Sequence, residues 1–309
     1  MSQLQNYLEE YLSLRQALGY KLRTYSSSLK DFVRFAKATN TMSITTELAL
    51  TWAMKPATAD PKWWAYRLRL VHHFARFVHG RDPETQVPPL DLLPYCQRRK
   101  QPHFYSEGQM NRIVAAAETL PSHNGLRGLT YSTLFILIWV SGLRISEALG
   151  LDRDDVDPIN DLLTIHNTKF NKSRLVPVQP STSQALQHYA RRRDQIFPRP
   201  KVPAFFLTVF GTRPTVAVAD MTFRKLCCQI GIRNPSQKKG PRIHDIRHTF
   251  AVRTLIDLYR NDHDIDQGLH SLAVYLGHAG PSSTFWYLSA VPELMELVRD
   301  RLDRKGGVS

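Results

Sequence analysis

The sequence predicts a mainly α-helical protein with a small β-sheet, built as an N-terminal helical bundle followed by a mixed α/β domain. Three observations lead there. Apolar residues recur at helical spacing through the first hundred positions, prolines interrupt that period between Arg81 and Gln101, and two short β-like runs stand inside an otherwise helical second half.

Leu4, Tyr7, Leu8, Tyr11 and Leu12 fall on one face of a first helix, and Phe32, Val33, Phe35 and Ala36 repeat the pattern in a second. Residues 46–54 make a short third. Residues 62–79 make a longer fourth, with Trp63, Trp64, Leu70, Val71, Phe74, Phe77 and Val78 as core candidates and Arg67, Arg69, His72 and Arg76 between them. That interleaving gives a basic face which is either solvated or turned to a polyanion. Pro83, Pro88, Pro89 and Pro94 then bar any helix ahead of Arg98-Arg99-Lys100. The expected organisation is a first domain over 1–98, a linker over 99–105 and a second domain over 106–309.

Ser106 with Glu107 is a capped start for a helix reaching about Leu120. A buried helix ends near Val140. Residues 161–166 and 174–178 read as strands joined by a polar loop, 167–173, that carries Lys169 and Lys172. The remainder is mostly helical, and no internal repeat is found.

Lys and Arg number 41 against 27 Asp and Glu, a net charge of +14, which favours nucleic acid or an anionic membrane surface as partner. The surplus is shared: 15 basic against 8 acidic residues in 1–100, and 26 against 19 in 101–309. A polyanion would thus be met by both halves, as a clamp around a duplex would meet it. The longest apolar run, residues 134–140, is far short of the ~18 needed to span a bilayer, so no membrane helix is expected. Met1-Ser2-Gln3-Leu4-Gln5 lacks the basic and apolar regions of a secretory signal, so a cytoplasmic protein is expected. Cys96, Cys227 and Cys228 are odd in number and have no His or Cys at zinc-like spacing, which predicts reduced thiols with no disulfide, metal or cofactor.

The chemistry-bearing segments lie in the second half. Ser141-Gly142-Leu143-Arg144 puts an arginine just after a glycine turn and at a helix start, where amide groups and a forked guanidinium can together hold an anion. Downstream come His244-Asp245-Ile246-Arg247-His248, then Leu276-Gly277-His278, then Tyr287 nine positions after His278. Taken singly, each has an ordinary reading: surface ion pairs for the arginines, core packing for the histidines, a loop lysine, a half-buried tyrosine. In the order Arg144, Lys169, His244, Arg247, His278, Tyr287, they resemble the catalytic set of the tyrosine recombinase (phage integrase) superfamily. The resemblance covers most of the chain. In the first domain, which takes the place of a core-binding (SAM-like) bundle, it is one of layout only.

The resemblance implies a site-specific DNA recombinase that works without metal or ATP. Tyr287 would attack the scissile phosphate to give a 3′-phosphotyrosine and a 5′-hydroxyl. Arg144 and Arg247 would clamp its non-bridging oxygens, with His278 donating a further hydrogen bond. Lys169 would protonate the leaving oxygen, with Lys172 the competitor in the same loop, and His244 would transfer the proton near the tyrosine. Glu147, three residues after Arg144, would orient a catalytic side chain, and His248 is expected to be structural.

From Arg247 to His278 there are 31 positions, more than in compact Xer-type members, and the extra length falls around residues 257–269. With the wording around Tyr275 and Trp286, this is closer to recombinases of bacterial transposons and related mobile elements. Implied partners are double-stranded DNA with inverted-repeat core sites and further copies of the chain, as a dimer on one site and a tetramer in synapsis, with room for an accessory protein. The stripe Leu294, Leu297, Val298, Leu302 is expected to dock on a neighbouring subunit. Competing functions are a type IB topoisomerase-like relaxing enzyme and a non-catalytic DNA-binding relative.

Overall fold

Among the described residues the first unit holds four helices, α1 (Gln3–Ala17), α2 (Arg23–Ala38), α3 (Thr46–Met54) and α4 (Pro61–His79). The computed structural model describes residues 3–20, 22–94, 101–166, 173–237, 239–261, 264–277, 287 and 291–306, and separates into Met1–Lys100 and Gln101–Ser309. Helix starts follow local chemistry. Thr45 Oγ1 accepts from the Leu48 N–H at 3.1 Å, and Asp60 Oδ1 accepts from the Lys62 N–H at 3.0 Å with Pro61 in the first turn. The periodic apolar residues become the core, with Leu8, Leu29, Phe32, Trp52, Leu68 and Phe74 enclosed. Each such side chain stabilises the bundle by about 1.5–3 kcal/mol relative to leaving it in water.

The basic face foreseen on α4 is only partly realised. Arg67 points inward: its guanidinium lies 3.6 Å from the Trp52 ring centroid, and Nη2 donates to the Trp52 carbonyl at 2.8 Å. His72 and His79 instead meet backbone, with Nδ1 of each 2.8 and 2.7 Å from the Pro88 and Thr85 carbonyls, which fastens the proline-rich segment to α4. Arg76 stays exposed.

The second unit contains α5 (Glu107–Glu118), α6 (Leu126–Ser141), α7 (Ile145–Gly150), β1 (Val156–Asp157), β2 (Leu162–Ile165), β3 (Arg174–Pro177), α8 (Pro180–Ile196), α9 (Val216–Gln229), α10 (Ile243–Arg260), α11 (Ile265–Leu276) and α12 (Pro292–Gly306). The strands form an antiparallel sheet in the order β1-β2-β3, with Leu163 facing Val176 across the β2–β3 ladder and both fully buried. β1 is an addition to the predicted pair, since two residues cannot show a strand period. α6 is apolar on nearly every face and runs through the core, packed by α5, α8 and α10. Tyr105, placed in the expected linker, joins this core: its N–H donates to Thr249 Oγ1 at 3.1 Å and its hydroxyl to the Arg242 carbonyl at 3.0 Å.

A second cluster joins α10, α11 and α12 through Leu255, Leu269, Leu272, Leu276, Tyr287 and Leu294. Leu294 is fully buried there, with Leu297 and Val298 packed beside it, so this part of the C-terminal stripe is covered by its own domain rather than left for a neighbour. The Leu302 side chain, Cys96, Lys169, Lys172 and His278 lie outside the described residues. Cys227 is buried and free, and burial pushes its thiol up to about 12. Among the described residues no helix is long and apolar enough to cross a membrane, and no group of three metal-ligating side chains occurs.

Candidate active site

The site is assembled where α6 and α11 end. Beyond Gly128 in its first turn α6 carries no breaker, and it stops at Gly142, whose φ of +61° and αL geometry an L side chain adopts only with strain. A Cβ at this position would also lie 2.4 Å from Phe250 Cδ1, so glycine is required twice over. The chain then turns through buried Leu143 into Arg144, which is extended and caps α7. Glu147, in the third position of that helix, folds back: Oε2 accepts from the Arg144 N–H at 3.0 Å and Oε1 from Arg144 Nη1 at 2.6 Å. One carboxylate therefore starts the helix and orients the arginine.

Glu147 is also the meeting point of two further arginines. Arg174, at the start of β3, donates from Nη1 and Nη2 at 3.2 and 2.9 Å to the two carboxylate oxygens, and from Nε to the Tyr275 carbonyl at 2.9 Å. Arg247 Nη1 lies 3.9 Å from Glu147 Oε2. Burial alone would raise the Glu147 pKa, but hydrogen bonds from Arg174 and from the Arg144 backbone and side chain outweigh it and bring it to about 2. The group is a fixed anion among three guanidiniums.

Helix ends hold the arginines from the other side. Arg247 donates from Nη1 to the Gly142 carbonyl at 2.8 Å and from Nη2 to the Leu276 carbonyl at 2.7 Å, while Arg144 Nη2 donates to the Gly277 carbonyl at 3.1 Å. These are terminal carbonyls of α6 and α11, which lack intrahelical partners and carry the negative end of the helix dipole. Gly277, at φ +64°, closes α11, and a Cβ there would come 2.9 Å from Arg174 Nη1. Burial, then the nearby charge of Arg144, lowers Arg247 to about 10, which leaves it protonated at neutral pH.

On α10, His244, Arg247 and His248 share one face, since they are spaced three and four residues apart. The Tyr287 hydroxyl lies 2.7 Å from His248 Nδ1, and the side chain is only 2% exposed. His244 sits edge-on to His248, with ring centroids 4.7 Å apart. Desolvation, then His244, pushes His248 down to about 4. His244 is lowered as well, by desolvation and by Arg247 and Arg242.

Of the residues singled out in the sequence, Arg144, Glu147, Arg247, His244 and Tyr287 fall in this region; Lys169 and His278 lie outside the described residues. Two participants were missed. His248, expected to be structural, meets the tyrosine hydroxyl, and the sequence marks it by its four-residue spacing from His244. Arg174 read merely as the opening of a strand.

The arrangement joins a tyrosine hydroxyl to an imidazole and a nest of guanidiniums, the equipment for attack on a phosphodiester. Residues 103–293 match the phage integrase family. A Sinorhizobium fredii protein, y4rB, assigned by name to the integrases/recombinases, is 43% identical over 309 residues, spanning 99% of this chain and 98% of its own. Two solved structures share the fold. The XerH site-specific recombinase bound to a palindromic difH substrate has a TM-score of 0.67 at 19% identity, over 95% of this chain and 81% of that one. The Tn1549 transposon integrase in complex with transposon right end DNA has a TM-score of 0.68 at 17% identity, over 97% and 99%. Fold and sequence together define a tyrosine recombinase. The chain belongs to the phage integrase family.

Proposed function

We propose that the chain recombines DNA at specific sites by cleaving and rejoining strands through a 3′-phosphotyrosine on Tyr287, in the integration, excision or resolution of a mobile element. The observation that carries this reading is the position of the Tyr287 hydroxyl, 2.7 Å from an imidazole whose sequence neighbour is Arg247, with Arg144 and Arg247 drawn toward Glu147 and the Leu276–Gly277 turn.

In the attack a phosphodiester monoanion gains negative charge on its equatorial oxygens. Three guanidiniums against one carboxylate leave this region positive, and the fixed orientation of Arg144 and Arg247 means little reorganisation accompanies charge development. Lys169 would protonate the departing 5′-oxygen and His278 would add a hydrogen bond to a non-bridging oxygen. His244, beside Arg247, would assist proton transfer. Two copies would bind an inverted-repeat site and four would form the synapse. The mobile-element reading takes its support from the Tn1549 transposon integrase, whose fold this chain shares.

The test is a duplex carrying the element's end and a nick beside the cleavage point. The wild-type chain is expected to be trapped as a covalent adduct and Tyr287→Phe to bind without forming it. An adduct with the phenylalanine variant would overturn the assignment. Cleavage indifferent to any inverted repeat would point instead to a topoisomerase-like activity.

A further inference from the structure

Resting on that reading, we propose that His248 is a catalytic base: it takes the proton of the Tyr287 hydroxyl as the oxygen attacks the phosphate, and returns it on rejoining. The bookkeeping closes without a co-reactant. The Tyr287 O–H bond breaks and an N–H bond forms at His248 Nδ1; the tyrosine oxygen bonds to phosphorus as the P–O5′ bond breaks, and the 5′-oxygen is protonated by the general acid, assigned above to Lys169. Rejoining runs the same steps backward.

Geometry comes first. The 2.7 Å separation is that of a direct hydrogen bond, and in the Nε2–H tautomer Nδ1 is the acceptor and the hydroxyl the donor, the alignment a proton transfer needs. The ring stands at 61° to the tyrosine ring with centroids 5.5 Å apart, so the contact is made through the nitrogen rather than by stacking. His248 follows Arg247 on α10, which ties the proton acceptor and one phosphate clamp to the same helix turn.

Its surroundings keep the imidazole neutral before DNA arrives. Burial, His244, Arg242 and Arg247 disfavour the proton and outweigh Asp245, which favours it. A phosphodiester seated on the arginines brings negative charge beside the ring and raises its proton affinity toward the range a base needs, so the base becomes effective with substrate in place.

Single-turnover cleavage of the nicked duplex by the full chain tests this with His248→Ala and His248→Asn. Asparagine can still accept a hydrogen bond from the hydroxyl but cannot hold the proton. Both variants are expected to bind DNA normally, to keep the wild-type circular dichroism and to form adduct about 100-fold or more slowly. A 5′-bridging sulfur, which leaves without protonation, is expected not to restore them. Wild-type rates with asparagine would overturn the proposal, showing that the contact only orients the tyrosine. Faster cleavage by either variant would overturn it by showing a latch, and rescue by the sulfur substrate would move His248 to the leaving-group side. Tyr287→Phe separates the two levels: an adduct in that variant sinks the proposed function itself, whereas an inert phenylalanine variant beside an active His248→Asn sinks only the role of His248.

Discussion

Glu147 carries more of the site than its single position suggests. It is 7% exposed at the side chain and accepts from Arg144 and Arg174 while facing Arg247, so removing it strands three cations in a half-buried space. Glu147→Ala is expected to lower stability by about 3–5 kcal/mol, the usual consequence of breaking a buried pair from one side, measurable by urea denaturation. Arg174→Lys keeps the charge and loses the fork that engages both carboxylate oxygens; cleavage is expected to fall about tenfold or more with DNA affinity little changed. Wild-type single-turnover rates in that variant would show that Arg174 merely fills space. The sequence made Glu147 legible because an acidic residue three positions after an arginine at a helix start has few other uses. Arg174 was not legible, because its partners are 27 and 101 residues away and a strand's first residue carries no mark of them.

At the scale of elements, the end of α6 decides where Arg247 can sit, since the Gly142 carbonyl accepts from its Nη1. Gly142→Ala combines a positive φ with a Cβ 2.4 Å from Phe250, and is expected to cost about 1–3 kcal/mol and to slow cleavage through a displaced Arg247. Pairing it with Phe250→Leu should recover part of the stability, read by thermal unfolding of the two variants together. α12 gives a second case. Leu294 is enclosed by its own domain, so Leu294→Ala is expected to destabilise the protein by about 2–5 kcal/mol without DNA present. A neutral effect would return the helix to the intersubunit role its apolar stripe suggested. That stripe was legible as a buried face; what it is buried against was not, because periodicity marks a face and not its partner.

Over the whole molecule, the two-part helical design and the order of motifs were readable because helical period, proline interruption and short polar boxes are local patterns. The contact of His248 with Tyr287 joins residues 39 positions apart and exists only once α10 and Tyr287 have come together. The same histidine governs acid behaviour. Its folded pKa of about 4 lies below the ordinary 6.5, so the unfolded chain takes the proton first; the stability it contributes is present above about pH 6.5 and is lost as pH falls toward 4. Glu147, lowered from 4.5 to about 2, adds a second loss between those values. Unfolding temperature followed from pH 7 to pH 4 is expected to decline, less steeply in His248→Asn. With a net charge of +14 shared by both units, affinity for duplex DNA should fall steeply with salt, and a flat dependence of log K on log salt would argue against a phosphate-dominated interface.

The central claim is that the Tyr287 oxygen becomes bonded to a DNA 3′-phosphate. Trapping the wild-type chain on a nicked duplex, digesting both protein and DNA, and sequencing the modified peptide by mass spectrometry tests it most directly. A nucleotide attached through its 3′-phosphate to Tyr287, and to no other residue, is the expected result; attachment elsewhere, or through a 5′-phosphate, would contradict it.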